Sequence, residues 1–218
     1  MTNKPRTPSA ASMAARTAVI LFIFVIVFTG FLSSAYLWTK PAIEASLAEE
    51  KMKLIDEVLP RSSYDNALLK DTLEIPPSPL LGLDEVSTVY RARQDGQARA
   101  LVLEAVAPDG YAGKIRLLVA VAADGSVAGV RVTQHKETPG LGDYIEPKKD
   151  KNKARPWITQ FNGLSPTVIG EREWKVRKDG GRFDSVTGAT VTPRAVIKAT
   201  RRAVQYVAEN REQLYASR

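Results

Sequence analysis

The sequence feature that most constrains the fold is an uncharged, apolar run near the N-terminus. No Asp, Glu, Lys or Arg occurs at positions 17–39, and positions 19–32 are almost all Val, Ile, Leu and Phe. At about 1.5 Å per residue, a helix of this length crosses a hydrocarbon core about 30 Å thick. Tyr36 and Trp38 stand where an interfacial aromatic belt is expected. We therefore predict one transmembrane helix at residues 17–39.

Charges on the two sides of this run predict its orientation. The flanking charges are Lys4, Arg6 and Arg16 before the run, and Glu44, Glu49 and Glu50 after it. Cytoplasmic segments are enriched in Lys and Arg, so residues 1–16 are predicted to form a cytoplasmic tail. Residues 40–218 are then predicted to lie in the periplasm, with the chain anchored once in a bacterial inner membrane.

A cleaved signal peptide is the alternative interpretation of the apolar run. Ser33, Ser34 and Ala35 have the small-residue pattern of a cleavage site. However, the run is longer than the apolar core of about 7–15 residues that such peptides contain. A retained membrane anchor is therefore the preferred prediction.

The composition restricts the cofactors that this chain can carry. It has 218 residues, no Cys and a single His, His135. Without thiolates the chain cannot hold a covalent c-type haem or a cysteine-ligated iron–sulfur cluster, and one histidine cannot form a multi-histidine metal site. No metal is predicted, and any redox chemistry must use an organic cofactor.

The positive net charge of +7 does not by itself indicate nucleic-acid binding. The densest basic run, residues 148–155, contains no interleaved aromatic residues. A solvated loop is the preferred interpretation, a docking patch for an acidic partner is the second, and no nucleic-acid partner is expected.

Alternating apolar segments predict an antiparallel sheet. The segments are 86–93, 98–107, 114–123 and 127–134, and the turns between them are Asp95-Gly96, Asp109-Gly110 and Asp124-Gly125. Asp-Gly favours hairpins because the turn requires positive φ. Residues 61–83 are predicted to be loop-rich, because the prolines at 76, 77 and 79 prevent regular pairing. The predicted core of the sheet consists of Leu101, Val102, Leu103, Leu117, Leu118, Val119 and Val121.

Helical spacing predicts three helices outside the membrane. One helix runs from Pro41 towards Pro60. A second, short helix carries Trp157 and Phe161 on one face. These two rings are predicted to pack in the core, and the alternative is that they stack on a ligand. Residues 173–177 are predicted to form a strand. The third helix ends the chain: its predicted buried stripe is Val196, Ile197, Thr200, Ala203, Val204 and Val207, and its off-stripe cations are Arg194, Lys198, Arg201 and Arg202.

The segment from Asp184 to Thr190 immediately precedes that last helix. Thr192 before Pro193 predicts a helix N-cap followed by proline at the first helical position. Thr190 would then lie just upstream of the helix N-terminus, where unpaired N–H groups favour an anion by about 0.3–1 kcal/mol. A phosphate bonded to the Thr190 hydroxyl would be well placed. No Gly-Lys-Ser/Thr follows, so this is not a Walker loop.

A second polar loop follows the predicted sheet, at residues 135–146. Taken alone, it is a loop in which His135 has a structural or solvent-exposed role. Gly140 and Gly142 would let the backbone approach a ligand closely, and Leu141 between them could pack on a flat ring.

These two segments resemble a flavin domain shared by two families. Glu-Thr-Pro-Gly-Leu-Gly at 137–142 and Asp-Ser-Val-Thr-Gly-Ala-Thr at 184–190 are similar to motifs of the G subunit of the Rnf (Rsx) electron transport complex and of the C subunit of the sodium-pumping NADH:quinone oxidoreductase. The resemblance is closer to the Rnf G subunit and spans essentially the whole chain. It implies that a flavin transferase joins FMN, through its phosphate, to Thr190.

The resemblance also implies the remaining site residues. Gly188 and Ala189 would permit close approach to the cofactor, and Asp184 would belong to the pattern that the transferase recognises. The cofactor-binding residues implied are Thr190, Ala189, Gly188, Thr187, Asp184, Glu137, Thr138, Pro139, Gly140, Leu141, Gly142 and His135. No catalytic acid or base and no metal ligand is expected.

We therefore predict an α+β protein: a single N-terminal transmembrane helix followed by an extracytoplasmic FMN-binding domain with an antiparallel sheet and flanking helices. Its predicted role is electron relay within an Rnf-type complex, without substrate turnover of its own. The expected partners are the other subunits, the flavin transferase and membrane lipid. The alternatives are the flavin subunit of a sodium-pumping NADH:quinone reductase and a non-redox membrane-anchored adaptor.

Overall fold

The computed structural model describes residues 9–216, so Lys4 and Arg6 of the predicted tail lie outside the described residues. The chain divides into two compact units, Met1–Glu49 and Glu50–Arg218. Residues 50–216 contain the sheet and the C-terminal helices.

Helix α1, Ala10–Asp56, joins the predicted span and the helix predicted after Pro41 into one element. It begins inside the predicted tail, passes through Pro41 and ends before Pro60. Among residues 9–216 it is the one helix that is long and apolar enough to cross a membrane, with a mean hydropathy of 2.5 over its most apolar window. Its apolar side chains are exposed, as a single-pass membrane anchor requires.

The sheet has five antiparallel strands in chain order. They are β1 Thr72–Ile75, β2 Ser87–Gln94, β3 Gln97–Gly110, β4 Gly113–Ala122 and β5 Val127–Gln134. Strands β2 to β5 confirm the predicted meander. Residues 61–83 are mostly loop, as predicted, but β1 was not predicted, and it pairs with β2 along its four residues before Pro76. Such a short edge strand has little alternation by which it could be recognised.

The first two predicted Asp-Gly turns differ in the structure. Asp95 and Gly96 have φ values of 52° and 74°, as a two-residue hairpin turn requires. The prediction of a turn at Asp109-Gly110 was wrong, since β3 continues through Gly110, which pairs with Gly113. Glycine is needed at position 110 for space, because a Cβ there would lie 2.4 Å from the Gly113 carbonyl oxygen.

Both faces of the sheet are buried, and alternate residues of each strand point to separate cores. Leu101, Leu103, Leu117, Val119 and Val121 belong to the larger core, which also includes the apolar stripe of the C-terminal helix. Val102 and Leu118 belong to a smaller core completed by Ile55, Val58 and Leu59, at and just after the end of α1. All seven predicted core residues are buried.

The C-terminal helix α2, Val191–Glu209, packs its predicted stripe into the larger core, and the short α3, Arg211–Tyr215, follows it. Trp157 and Phe161 lie in a 3₁₀ helix, Trp157–Phe161, where both are buried and contact each other edge to face at 5.5 Å between ring centroids. These two rings therefore pack in the core, as first predicted.

The strand predicted at residues 173–177 is absent, and that prediction was wrong. Short 3₁₀ helices, Glu171–Glu173 and Arg177–Asp179, occupy the region, with one isolated parallel bridge between Val176 and Phe183. The chain turns back at once, since the amide of Gly181 donates to the Val176 carbonyl at 3.1 Å. The segment therefore pairs with itself instead of joining the sheet.

A buried arginine ties the chain's C-terminal end to the sheet. Arg91 donates to Asp71 Oδ1 at 2.6 Å and to the Ala216 carbonyl at 2.8 Å. Arg93 binds the other Asp71 oxygen at 2.8 Å. Burial raises the pKa of Asp71, but the hydrogen bonds from Arg93 and Arg91 outweigh this effect and hold the pKa below 3.8.

Candidate functional site

The two predicted loops meet at one small cavity of about 100 Å³. It lies between the loop after β5, the start of α2 and the tip of the β3–β4 hairpin. Its lining residues are Tyr111, Glu137, Thr138, Leu141, Gly142, Gly188, Ala189, Val191 and Thr192. Residues about 50 positions apart in the sequence are thus brought together, as the resemblance implied.

Glu137 joins the three elements that form the cavity. Its side chain is buried, with the residue 4% exposed. Oε1 accepts a hydrogen bond from the Ala112 amide at 3.0 Å, and Oε2 accepts one from the Thr192 hydroxyl. A buried carboxylate is costly unless it is hydrogen-bonded, and here both oxygens have donors. Glu137 therefore fixes the hairpin tip and the start of α2 relative to the loop.

The loop from Thr138 to Gly142 is a tight turn. The amides of Leu141 and Gly142 both donate to the Thr138 carbonyl, at 3.1 and 2.9 Å. Gly140 has a φ of 74° and donates its amide to Asp143 Oδ1 at 2.8 Å. A Cβ at Gly142 would lie 3.0 Å from both Glu137 Oε2 and Thr192 Oγ1, so only glycine fits without displacing that hydrogen bond.

Four predicted contact residues of this loop, at positions 138–141, are exposed. Leu141 is 41% exposed while also lining the cavity. Thr138 is exposed at the cavity rim, and Pro139 and Gly140 are exposed outside it. The loop therefore presents an apolar side chain at the mouth of the cavity.

Thr190 is the N-cap residue of α2, with φ −95° and ψ −16°, and its side chain makes no capping hydrogen bond. It is half-buried, next to the cavity-lining Ala189 and Val191. The unpaired amides of a helix N-terminus attract anions. The hydroxyl of Thr190 is thus available where a phosphate would be stabilised.

The N-cap of α2 is Thr190 and not Thr192. Thr192 was predicted to be the N-cap, and this prediction was wrong because α2 begins at Val191. The Thr192 hydroxyl donates to Glu137 instead of to its own helix. Pro193 consequently stands at the third helical position, where its missing N–H still costs no intrahelical hydrogen bond.

Tyr144 fixes the backbone of the segment just before Thr190. Its hydroxyl donates to the Ala189 carbonyl at 3.2 Å and accepts from the Val186 amide at 3.5 Å. Burial raises the pKa of Tyr144 to about 12, so the hydroxyl stays protonated and keeps its donor role. Gly188, with φ 85°, completes the turn, and Thr187 is exposed.

His135 and Asp184 were predicted site residues that do not line the cavity. His135 accepts a hydrogen bond from the Glu137 amide at Nδ1, 2.9 Å away, and its Nε2 contacts Glu146 Oε1. Burial raises the pKa of Glu146, but hydrogen bonds from Lys149 and His135 outweigh it and lower the pKa. The Asp184 carboxylate is exposed and binds Arg177 Nε at 2.7 Å.

Three off-stripe cations of α2 already have acidic partners. Arg194, Lys198 and Arg201 bind, respectively, Asp179 at 2.7 Å, Asp109 at 2.7 Å and Glu171. Their positive charges are therefore partly neutralised within the protein.

Sequence reasoning missed Tyr111, Val191 and Thr192 as cavity residues. Tyr111 lies at the hairpin tip, where the turn was placed one step too early. Thr192 was assigned to helix capping, which is the commonest role of a threonine before a proline-initiated helix. No local pattern marks Thr192 as a cavity residue, because its partner Glu137 lies 55 positions earlier in the sequence.

The site suits one end of an FMN molecule. Ligand pockets usually enclose about 300–1,000 Å³, so a cavity of about 100 Å³ would hold only part of the cofactor. Exposed apolar side chains around it, Tyr111, Leu141, Val186 and Val191, could cover the remainder. Among residues 9–216 no cluster of His, Cys, Asp or Glu could hold a metal ion.

Comparison with known proteins agrees with this geometry. Residues 110–205 match the family model of the FMN-binding domain. The G subunit of the ion-translocating oxidoreductase complex of Pseudomonas aeruginosa (strain UCBPP-PA14) is 45% identical over 201 residues, covering 92% of each chain. The corresponding G subunit of Vibrio cholerae serotype O1 (strain M66-2) is 40% identical over 200 residues, 92% of this chain and 93% of the relative.

A solved structure also aligns with the chain. The crystal structure of Shewanella oneidensis NqrC is 24% identical, with a TM-score of 0.46, and the alignment covers 72% of this chain and 74% of that one.

Proposed function

Because this chain belongs to the family of G subunits of ion-translocating oxidoreductase complexes, we propose that it relays electrons through FMN within an Rnf-type complex. The observation that carries the proposal is the shared cavity of the 137–142 loop and the 188–192 segment. Thr190 lies beside that cavity as the N-cap residue of α2, and its hydroxyl makes no capping hydrogen bond. FMN, when bound, supplies the electron-transfer chemistry, and the protein sets its position and solvent exposure.

The proposal extends to covalent attachment. A phosphoester between FMN and the Thr190 hydroxyl would keep the cofactor from being lost into an open compartment. The α2 N-terminus would stabilise the phosphate, and Leu141 would pack against the flavin end. Glu137 lines the cavity, and each of its oxygens accepts one hydrogen bond from the protein. Its role is to hold the cavity walls together.

Intact-mass analysis tests the attachment. The chain is co-expressed with a flavin transferase, and we expect an added mass equal to FMN less one water on the peptide containing Thr190. Thr190→Ala should abolish the adduct. Thr133→Ala is the matched control, because Thr133 is exposed and lies outside both motifs, and it should leave the adduct in place. An unmodified, colourless wild-type protein under these conditions would instead support the non-redox adaptor.

We further propose that α1 anchors the chain in the inner membrane with residues 40–218 in the periplasm. The chain has no cysteine, so a single introduced cysteine is labelled uniquely. In intact cells, a membrane-impermeant maleimide should label Gln97→Cys but label Ser12→Cys only after permeabilisation. The opposite labelling pattern would show that the orientation in the membrane is the reverse of the one proposed. Loss of the N-terminal peptide from the mature protein would identify a cleaved signal peptide.

The coupling of electron flow to ion movement is assigned to the partner subunits. Residues 17–39 contain no charged side chain, and intramembrane ion pathways are normally marked by ionisable residues. The proposed partners are therefore the other subunits of the complex, together with the flavin transferase during maturation and the surrounding lipid. Co-purification of a sodium-pumping quinone reductase instead of an Rnf-type complex would reassign the chain.

A further inference from the structure

The positive charge of this protein is concentrated in one part of the sequence. Residues 148–202 contain 14 Lys and Arg against 5 Asp and Glu, a net charge of +9. Residues 50–147 contain 11 Lys and Arg against 15 Asp and Glu, a net charge of −4. The part of the chain that includes Thr190 is therefore strongly basic, while the part that forms the sheet is acidic.

Direct contacts join the basic segments, so they lie next to one another in the fold. The Trp157 indole, just after the basic loop, donates to the Asp184 carbonyl at 2.6 Å. The Glu171 and Asp179 carboxylates bind side chains of α2. We call this region, made of residues 148–155, 171–184 and the outer side of α2, the basic face.

The loop at 148–155 exposes its basic side chains to solvent and buries its acidic one. Its single acidic residue, Asp150, is buried: Oδ1 accepts from the Asn152 amide at 2.9 Å and Oδ2 from the Trp157 amide at 2.5 Å. Asn152 Oδ1 in turn accepts from the Arg155 amide at 3.1 Å. The exposed cations of the loop are Lys148, Lys149, Lys151, Lys153 and Arg155. An ordered loop loses less conformational entropy when a partner binds it.

The basic loop is also connected to the candidate flavin cavity. Lys149 Nζ donates to Glu146 Oε1 at 3.1 Å, and the same oxygen contacts His135 Nε2. His135 Nδ1 accepts from the amide of Glu137, whose side chain lines the cavity. A partner seated on the loop would therefore lie near the proposed cofactor.

We propose that the basic face is the docking surface for an acidic protein partner that exchanges electrons with the flavin. The inference rests on the proposed function. Opposite charge on two docking surfaces accelerates their encounter and fixes their orientation. The acidic residues interspersed in the face, Glu171, Glu173, Asp179 and Asp184, favour a patterned protein surface over a uniformly anionic lipid headgroup layer.

Site-specific photo-cross-linking tests the proposal in native membranes that contain the assembled, flavinylated complex. p-Benzoylphenylalanine replaces Ala154, an exposed residue within the basic loop, or Gln97, an exposed residue of the acidic half. We expect Ala154 to cross-link to a peptide of another protein that is rich in Asp and Glu. The same product should not form from Gln97.

Charge reversal gives the matched comparison. Lys151→Glu with Arg155→Glu should reduce the Ala154 cross-link about tenfold, equivalent to about 1.4 kcal/mol. Lys70→Glu with Arg99→Glu makes the same change in net charge in the acidic half and should leave the yield unchanged. Within residues 9–216, none of these four side chains forms a hydrogen bond or an ion pair, so neither double variant breaks a described contact.

The outcomes separate this inference from the proposed function. Cross-linking to phospholipid, cross-linking to a neutral or basic peptide, or a yield insensitive to the reversal would each overturn the acidic-partner proposal. In-gel flavin fluorescence of the same samples reports the cofactor independently. Fluorescent bands with no acidic cross-link would refute only the docking surface, whereas absence of flavin from the wild-type chain would refute the proposed function.

Discussion

Replacing Thr192 by valine removes the hydrogen bond that joins the start of α2 to the loop after β5. Thr192 is 2% exposed, and its hydroxyl is the donor to Glu137 Oε2. Valine has nearly the same shape, so no cavity is created. The other carboxylate oxygen keeps the Ala112 amide. The substitution therefore deprives a buried carboxylate of one of its two donors and changes little else.

The expected loss follows from the charge of the acceptor. A hydrogen bond to a charged group contributes about 1.5–3 kcal/mol, and a buried acceptor left without its donor adds a desolvation cost. We therefore expect Thr192→Val to lower the free energy of unfolding by about 2–3 kcal/mol. For a domain of this size, such a loss should lower Tm by about 4–12 °C.

Thr200 provides a control on the same helix. It is 0% exposed, and its hydroxyl has no hydrogen-bond partner within residues 9–216. Thr200→Val is the same chemical change, but it removes a buried polar group that gains nothing from the protein. We expect an unchanged free energy of unfolding or an increase of up to about 1 kcal/mol.

Urea unfolding of the full chain in detergent micelles measures both variants, followed by fluorescence of the buried Trp157 and Trp174. Equal losses in the two variants, or no loss in Thr192→Val, would refute the assigned role of the Glu137–Thr192 hydrogen bond. The yield of FMN on Thr190 gives a second readout. It should fall in Thr192→Val, because the start of α2 is released, and stay unchanged in Thr200→Val.

Three further predictions concern the fold around the site. Asp71→Asn should lower the free energy of unfolding by about 3 kcal/mol at pH 7. Because the effect of burial is outweighed by hydrogen bonds from Arg93 and Arg91, which lower the folded-state pKa of Asp71 below its ordinary value, the difference from wild type should vanish in an acid titration only as pH falls through that lowered pKa. Gly129→Ala should lower the free energy of unfolding by about 1–3 kcal/mol, since the new Cβ would lie 2.4 Å from the Val58 carbonyl oxygen. Gly170→Ala should leave the free energy of unfolding unchanged in the same urea assay. Tyr144→Phe should cost about 1 kcal/mol and increase amide hydrogen exchange at Ala189.

The sheet was largely predictable because its strands are long and bounded by turns. β5 matches its predicted residues, and β2 to β4 differ by one to three residues at their ends. β1 was missed because four residues before a proline carry no clear alternation. The predicted strand at 173–177 failed because its hydrogen bonds are made within one tight turn, which no periodicity reveals.

The candidate site was predictable as two motifs but not as a set of contacts. Six of the twelve predicted residues line the cavity, and Thr187, Thr190, Pro139 and Gly140 belong to the same two segments without lining it. His135 and Asp184 instead contact neighbouring residues outside the cavity. The role of Thr192 depends on a carboxylate 55 residues away. Local sequence favours helix capping for such a threonine, and only the tertiary fold brings Glu137 within reach.

The smaller core has a consequence for any attempt to release the globular part from the bilayer. Ile55 in the last turn of α1, together with Val58 and Leu59 just after it, packs in the smaller core against the second face of the sheet. The end of this helix is therefore part of the interior of the domain that follows it. Trimming the chain to begin at Arg61 would strip that face and invite aggregation. A water-soluble fragment should therefore start no later than about Glu50, the first residue of the second unit.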